Sequence, residues 1–203
     1  MVFSSLSVVL YTQYQSFFIF NFCGSAELGI YSVSVTLATG FGVLINALIT
    51  SCYASIFSEP NERQAEVKTG QLLRWVFILS VFSNIILIAL GDRIILNLYG
   101  NEFISAKEPM IILSFSATLS FMGSVTYRYI THYSGFLYLS IKTTISFLLS
   151  LVLAVMMIKR YGIIGAAWSN IIVEFISLTI LNYFFKRKSI FRLHLFAIKG
   201  CKE

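Results

Sequence analysis

Residues 75–90 read WVFILSVFSNIILIAL, sixteen positions without a charge. Residues 143–158, TTISFLLSLVLAVMMI, repeat that character. No soluble core of a 203-residue chain has room for many such segments. A hydrocarbon slab about 30 Å thick takes roughly 20 helical residues to cross. Working outward from Trp75, six apolar stretches qualify: Val2–Phe22, Gly29–Phe57, Gln71–Leu90, Pro109–Thr131, Leu137–Ile158 and Ile163–Phe185. Backbone groups in lipid must bond within their own segment, so these runs predict helices. A barrel would need alternating segments of about ten residues, and the runs here are longer and uniformly apolar. The expected fold is an all-α integral membrane protein, a six-transmembrane-helix bundle over residues 1–185 with a basic tail over 186–203.

Composition points the same way. Hydrophobic residues make up 57% of the chain and charged residues 12%, against roughly 25% charged in soluble domains. The net charge of +6 is concentrated, with six of fifteen Lys and Arg after Phe185. A basic cluster just past a transmembrane helix reads as a cytoplasmic anchor facing anionic lipid, not as a nucleic-acid surface. With both ends cytoplasmic, Arg63, Lys68, Arg74, Arg128, Lys142 and the tail lie inside. Only Arg93, Lys107, Lys159 and Arg160 then lie outside, eleven against four. The stretch Ile94–Tyr99 is too short to span and is expected to lie at the interface.

Cys23, Cys52 and Cys201 form no C-x-x-C pair and have no accompanying His ligands, so neither a metal site nor a disulfide framework is expected. Met1–Leu10 lacks the basic start and cleavage site of a secretory signal. His132 and His194 have no matched carboxylates, no serine sits in a nucleophile motif, and no Gly-rich phosphate loop occurs. The sequence therefore predicts no catalytic residues, no cofactor and no metal.

Polar side chains fall on particular faces. Ser32, Thr39, Gly42, Asn46, Thr50 and Tyr53 lie within an arc of about 80° on the second helix. The first helix aligns Ser4, Ser7, Tyr11 and Gln15. The fourth aligns Ser114, Ala117, Phe121, Ser124 and Arg128, and the sixth Ala167, Asn170, Glu174 and Ser177. Small and hydroxyl residues also serve close helix packing; four such stripes together predict a shared polar interior. Glu174 lies about 16 Å from either end of its helix, too deep to snorkel. It must face a cavity or a partner, or be protonated. Helical side chains lean toward the N-terminus. Arg128 is accordingly expected to lean toward the membrane centre, where its planar fork suits phosphate. Lys142, on a helix of opposite direction, is expected to reach cytoplasmic water. Tyr127, Tyr129, Tyr133 and Tyr138 are expected to form an interfacial belt.

Three stretches resemble the polysaccharide flippases of the multidrug/oligosaccharidyl-lipid/polysaccharide exporter superfamily, especially bacterial O-antigen flippases. Leu28–Gly40, LGIYSVSVTLATG, is similar to the start of the second helix of their C-terminal half. Leu96–Ser116, with LYGNEF followed by Ala106 and an apolar helix, resembles the connection between its third and fourth helices. Tyr161–Phe175, YGIIGAAWSNIIVEF, resembles its last helix, where Gly and Ala precede a buried Glu. Some relatives carry an Asp where Gln15 stands. The resemblance implies one six-helix lobe of a two-lobe transporter in the bacterial inner membrane. It would move undecaprenyl-pyrophosphate-linked repeat units across the bilayer, with a missing or separate N-terminal six-helix lobe as partner. Membrane lipid would be its solvent and a lipid-linked oligosaccharide its cargo. Arg128, Glu174, Asn170, Asn46 and Gln15 are the expected cavity residues. A lobe of a drug exporter or lipid II flippase, an integral-membrane polysaccharide polymerase, and a non-functional remnant are the alternatives.

Overall fold

A computed structural model describes residues 2–59, 61–133, 135–185 and 190–193, with the side chains of 2–12 and 57 not described. The expected Ser4, Ser7 and Tyr11 stripe, and most of the basic tail, therefore lie outside the described residues. All the regular structure described is helical: α1 (Val2–Cys23), α2 (Ser25–Thr39), α3 (Gly42–Phe57), α4 (Glu62–Leu98), α5 (Lys107–His132) and α6 (Phe136–Ile176). A 3-10 segment, Asn101–Ala106, leads into α5, and a π-helical segment, Ser177–Leu181, follows α6. Among the described residues, three helical stretches are long and apolar enough to cross a membrane. The α2 and α3 pair, bent by 40°, makes a fourth if it counts as one span.

The expected second helix is thus broken. Gly40 and Phe41 sit at the bend, and a side chain at Gly42 would come within 2.9 Å of the Phe121 ring. The missing Cβ lets α3 lie close against α5. The break follows a Gly-Phe-Gly sequence rather than a proline, so apolar length alone did not reveal it.

Two further boundaries differ from expectation. α4 begins at Glu62, where Asn61 accepts a hydrogen bond from the Arg63 amide at 3.0 Å and caps the helix. It continues to Leu98, absorbing the stretch expected at the interface; Ile95 there is fully buried. Asp92, beyond the expected end of the span, pairs with Lys107 across the turn into α5.

α6 is a hairpin. Gly162 has φ 59° and ψ −140°, outside any helix and rarely adopted by L residues. A straight helix over Phe136–Leu181, 46 residues, would be about 69 Å long. Yet Lys142 Nζ donates to Asn182 Oδ1 at 2.6 Å, and the Tyr138 hydroxyl donates to the Leu181 carbonyl. Those contacts require the two arms, 136–161 and 163–176, to run antiparallel. Gly165 permits the close return, since a Cβ there would overlap the Met157 carbonyl. The turn falls where the sequence separated Ile158 from Ile163.

α5 is the central helix, packed against α2, α4 and α6, while α1 lies against α2 and α6. Two apolar clusters occupy opposite ends of the bundle. One gathers Ile19, Tyr31, Leu87, Met110 and Ile158; the other gathers Ile49, Leu73, Val76, Val125 and Leu178. Between them α4 buries Ser80, Ser83 and Asn84, and Asn84 Nδ2 donates to Thr118 Oγ1 of α5 at 3.1 Å. Such polar contacts bind helices together where lipid supplies no hydrophobic drive. Phe82, Ile85, Leu148, Val152 and Met156 point outward as an apolar coat.

Candidate functional site

Two polar cavities lie side by side along the inner faces of α1, α2, α3, α5 and α6. The upper one, about 440 Å³, is lined by α1, α2, α5 and the second arm of α6. The lower one, about 400 Å³, lies between α3, α5 and both arms of α6. Ser120 and Glu174 line both, so the two meet at the Glu174 carboxyl. Volumes of this order are usual for small-molecule sites.

The wall of the upper cavity is built from amides and hydroxyls. Gln15, though buried, reaches across to α6 and donates from Nε2 to Asn170 Oδ1 at 2.6 Å. Tyr31 donates its hydroxyl to Gln15 Oε1 at 2.8 Å. Asn170 Nδ2 returns bonds to Gln15 Oε1 at 3.1 Å and to the Tyr31 oxygen at 3.3 Å. Three helices are locked together by one polar knot. Its cooperativity fixes the amide orientations.

The lower cavity carries the charge. Arg128 is half-buried, with Nη2 3.4 Å from Thr50 Oγ1 and the guanidinium 4.9 Å from the Tyr53 ring centre. That geometry is a cation–π contact. Lys142 lines the same cavity, as do Asn46, Ser124 and Ser177. Glu174 stands at the junction beside Ser120 and within electrostatic reach of Lys142.

All five residues singled out in the sequence line these cavities: Gln15 and Asn170 the upper, Asn46 and Arg128 the lower, Glu174 both. The second-helix stripe keeps to one side despite the bend, because Ser32 and Thr39 face the upper cavity and Asn46 the lower, with Thr50 and Tyr53 against Arg128. Of the expected α5 stripe, Ala117, Ser124 and Arg128 line the cavities. Ser116 and Ser120 join them, whereas Ser114 is buried elsewhere and Phe121 packs against apolar neighbours. Ala167 belongs to the apolar core.

Lys142 is the clear correction. It was expected to extend to water, but only 8% of it is exposed and its ammonium ends on Asn182. Side-chain lean along α6 predicted its direction, but Asn182 lies on the returning arm, 40 positions away. Tyr31 was also missed, since a tyrosine beside an apolar run carries no sign of the amides it will meet. The expected aromatic belt is partly internal: Tyr129 is buried and donates to Glu66 Oε1 at 3.1 Å, and Tyr138 bonds within the hairpin.

Glu66 has a second partner in Arg192, whose Nη1 is 3.3 Å from Oε2. Ile190 and Leu193 flank Arg192 and are buried. This piece of the basic tail is helical and packs back onto the bundle at α4 and α5.

No curated protein and no solved structure matches the chain. A family model does match, over residues 1–108, which run from α1 to the start of α5 and include Gln15, Tyr31 and Asn46. With more than half its length matched and a polar interior within an all-helical bundle, this chain belongs to the polysaccharide biosynthesis protein family.

Proposed function

We propose that the chain is a flippase lobe that carries a lipid-linked, pyrophosphate-bearing saccharide across the bacterial inner membrane, and that it is not an enzyme. The observation that carries this reading is the pair of joined cavities meeting at Glu174, one neutral and hydrogen-bonding, the other holding Arg128 and Lys142. A polar head group has a path along this polar face, while its lipid chain stays outside among the apolar residues. Arg128, with a free edge beside its Thr50 and Tyr53 contacts, is the group that meets the anionic phosphates. Glu174 stands opposite as the residue whose charge or proton responds to the cargo.

On this reading the lobe has six spans: α1, the bent α2–α3 pair, α4, α5 and the two arms of α6. Both ends are cytoplasmic, by the eleven-to-four distribution of basic residues. The lobe corresponds to the C-terminal half of a two-lobe transporter. Ser32, Thr36, Thr39, Asn46 and Thr50 are exposed polar residues within the bent span, and polar groups facing hydrocarbon are costly. A second six-helix lobe, on the same or a separate chain, covers them, and the cargo passes between the two.

Vesicles containing the chain together with such a lobe, and a fluorescent undecaprenyl-pyrophosphate saccharide, test this. Wild type should move the label between leaflets, and Arg128→Ala should slow it by about tenfold or more, the scale of one charge-assisted contact. Equal rates in both proteins would remove Arg128 from the path; no movement by wild type would contradict the transport reading.

A further inference from the structure

The cations of the interior are confined to one cavity. Arg128 and Lys142 line the lower space, and among the described residues no Lys or Arg lines the upper one. Residues 1–12, whose side chains are not described, contain no charge at all. Among the described residues, the only ionisable carboxyl on the upper wall is Glu174, at its lower boundary.

The α2 side of that wall offers mainly acceptors, whereas Gln13 on α1 brings amide donors to the opposite side. On α2, Ser32 donates to the Leu28 carbonyl at 2.8 Å, Thr36 to Ser32 at 2.9 Å and Thr39 to Val35 at 2.8 Å. Each hydroxyl hydrogen is turned to the backbone, so the oxygens present lone pairs to the cavity. Across from them, the Gln15–Asn170–Tyr31 knot uses every acceptor site of Gln15 Oε1 but only one hydrogen of Gln15 Nε2 and one lone pair of Asn170 Oδ1. One donor and one acceptor are left side by side. A sugar hydroxyl both donates and accepts, and so satisfies both walls; a carboxylate only accepts.

We propose that the upper cavity selects an uncharged, polyhydroxylated sugar and rejects an acidic one. This rests on the flippase reading and adds the substrate class. A uronic or other acidic sugar would place its carboxylate against lone pairs of Ser32, Thr36 and Thr39. Glu174, when ionised, would repel it, and among the described residues no Lys or Arg on that wall would compensate. The pyrophosphate, two charges at least, belongs in the lower cavity with Arg128 and Lys142. The cargo is therefore held in one orientation, phosphates below and sugar above Glu174.

Three probes test this on the full chain in lipid nanodiscs: farnesyl-pyrophosphate-linked glucose, farnesyl-pyrophosphate-linked glucuronic acid and farnesyl pyrophosphate alone. The glucose conjugate should bind at least about tenfold more tightly than the glucuronic acid conjugate, since like-charge contacts and unpaired desolvation act against the latter. Thr36→Lys, which sets an ammonium on the α2 wall, should raise affinity for the glucuronic acid conjugate severalfold, while Thr36→Gln should not. Equal or tighter binding of the glucuronic acid conjugate by wild type would overturn the selectivity and leave the flippase reading standing. If none of the three probes binds, even with the second lobe supplied, the flippase reading fails and the selectivity with it.

Discussion

Lys142 and Asn182 show what a single side chain can conceal. The lysine stem runs through the hairpin, and its ammonium meets an amide that is itself fully buried. The other side of that amide, Nδ2, has no hydrogen-bond partner among the described residues. Removing the lysine alone, as in Lys142→Met, would leave both ends of Asn182 unpaired and cost about 1–3 kcal/mol. Adding Asn182→Leu should recover most of that loss, because the polar group is then gone. Unfolding of the purified single and double variants gives the coupling; strictly additive losses would mean that the pair does not interact. The sequence placed Arg128, Asn170 and Glu174 on inner faces because each lies on a helical stripe with its polar neighbours. Lys142 was not read as part of a stripe, although Ser146 and Ser150 follow it at helical spacing, and its partner is set by a turn twenty residues downstream.

At the scale of elements, glycine positions govern the helix paths. Gly162 supplies the one non-helical residue inside α6, and Gly165 lets the returning arm pass the Met157 carbonyl. Gly123, by contrast, borders the lower cavity with open space around it. Gly165→Ala should therefore destabilise by about 1–3 kcal/mol through overpacking. Gly123→Ala should be neutral or stabilising by up to about 1 kcal/mol, the helix-propensity gain. Melting of both variants in detergent checks the order, and a Gly165→Ala protein as stable as wild type would mean that the hairpin is not closed as described. Three long spans were legible because apolar length is a strong signal; the α2–α3 bend was not, because nothing in Gly40-Phe41-Gly42 marks a glycine that will pack against another helix. The start of α4 was missed for another reason. Glu62, Arg63 and Lys68 look like a loop by charge, yet they continue the helix beyond the slab, where water solvates them and Asn61 caps them.

For the whole molecule, two apolar clusters hold the ends of the bundle, and the polar space lies along one side between them. Ile190, Arg192 and Leu193 close one end through Glu66 and Tyr129, a contact between distant segments that no local pattern announces. The central claim is that the space around Glu174 is a watered, ligand-binding passage inside a membrane-embedded lobe. Thiol accessibility measures it directly. In a background with Cys23, Cys52 and Cys201 replaced by serine, Asn46→Cys, Ser120→Cys, Ser124→Cys and Asn170→Cys would be placed on the cavity walls. Val152→Cys and Met156→Cys would sit on the outer coat. In nanodiscs the cavity cysteines should react with methanethiosulfonate ethylammonium, the outer ones should not, and farnesyl-pyrophosphate-linked glucose should protect the cavity set. Unreactive cavity cysteines, or reaction that the conjugate leaves unchanged, would contradict the account.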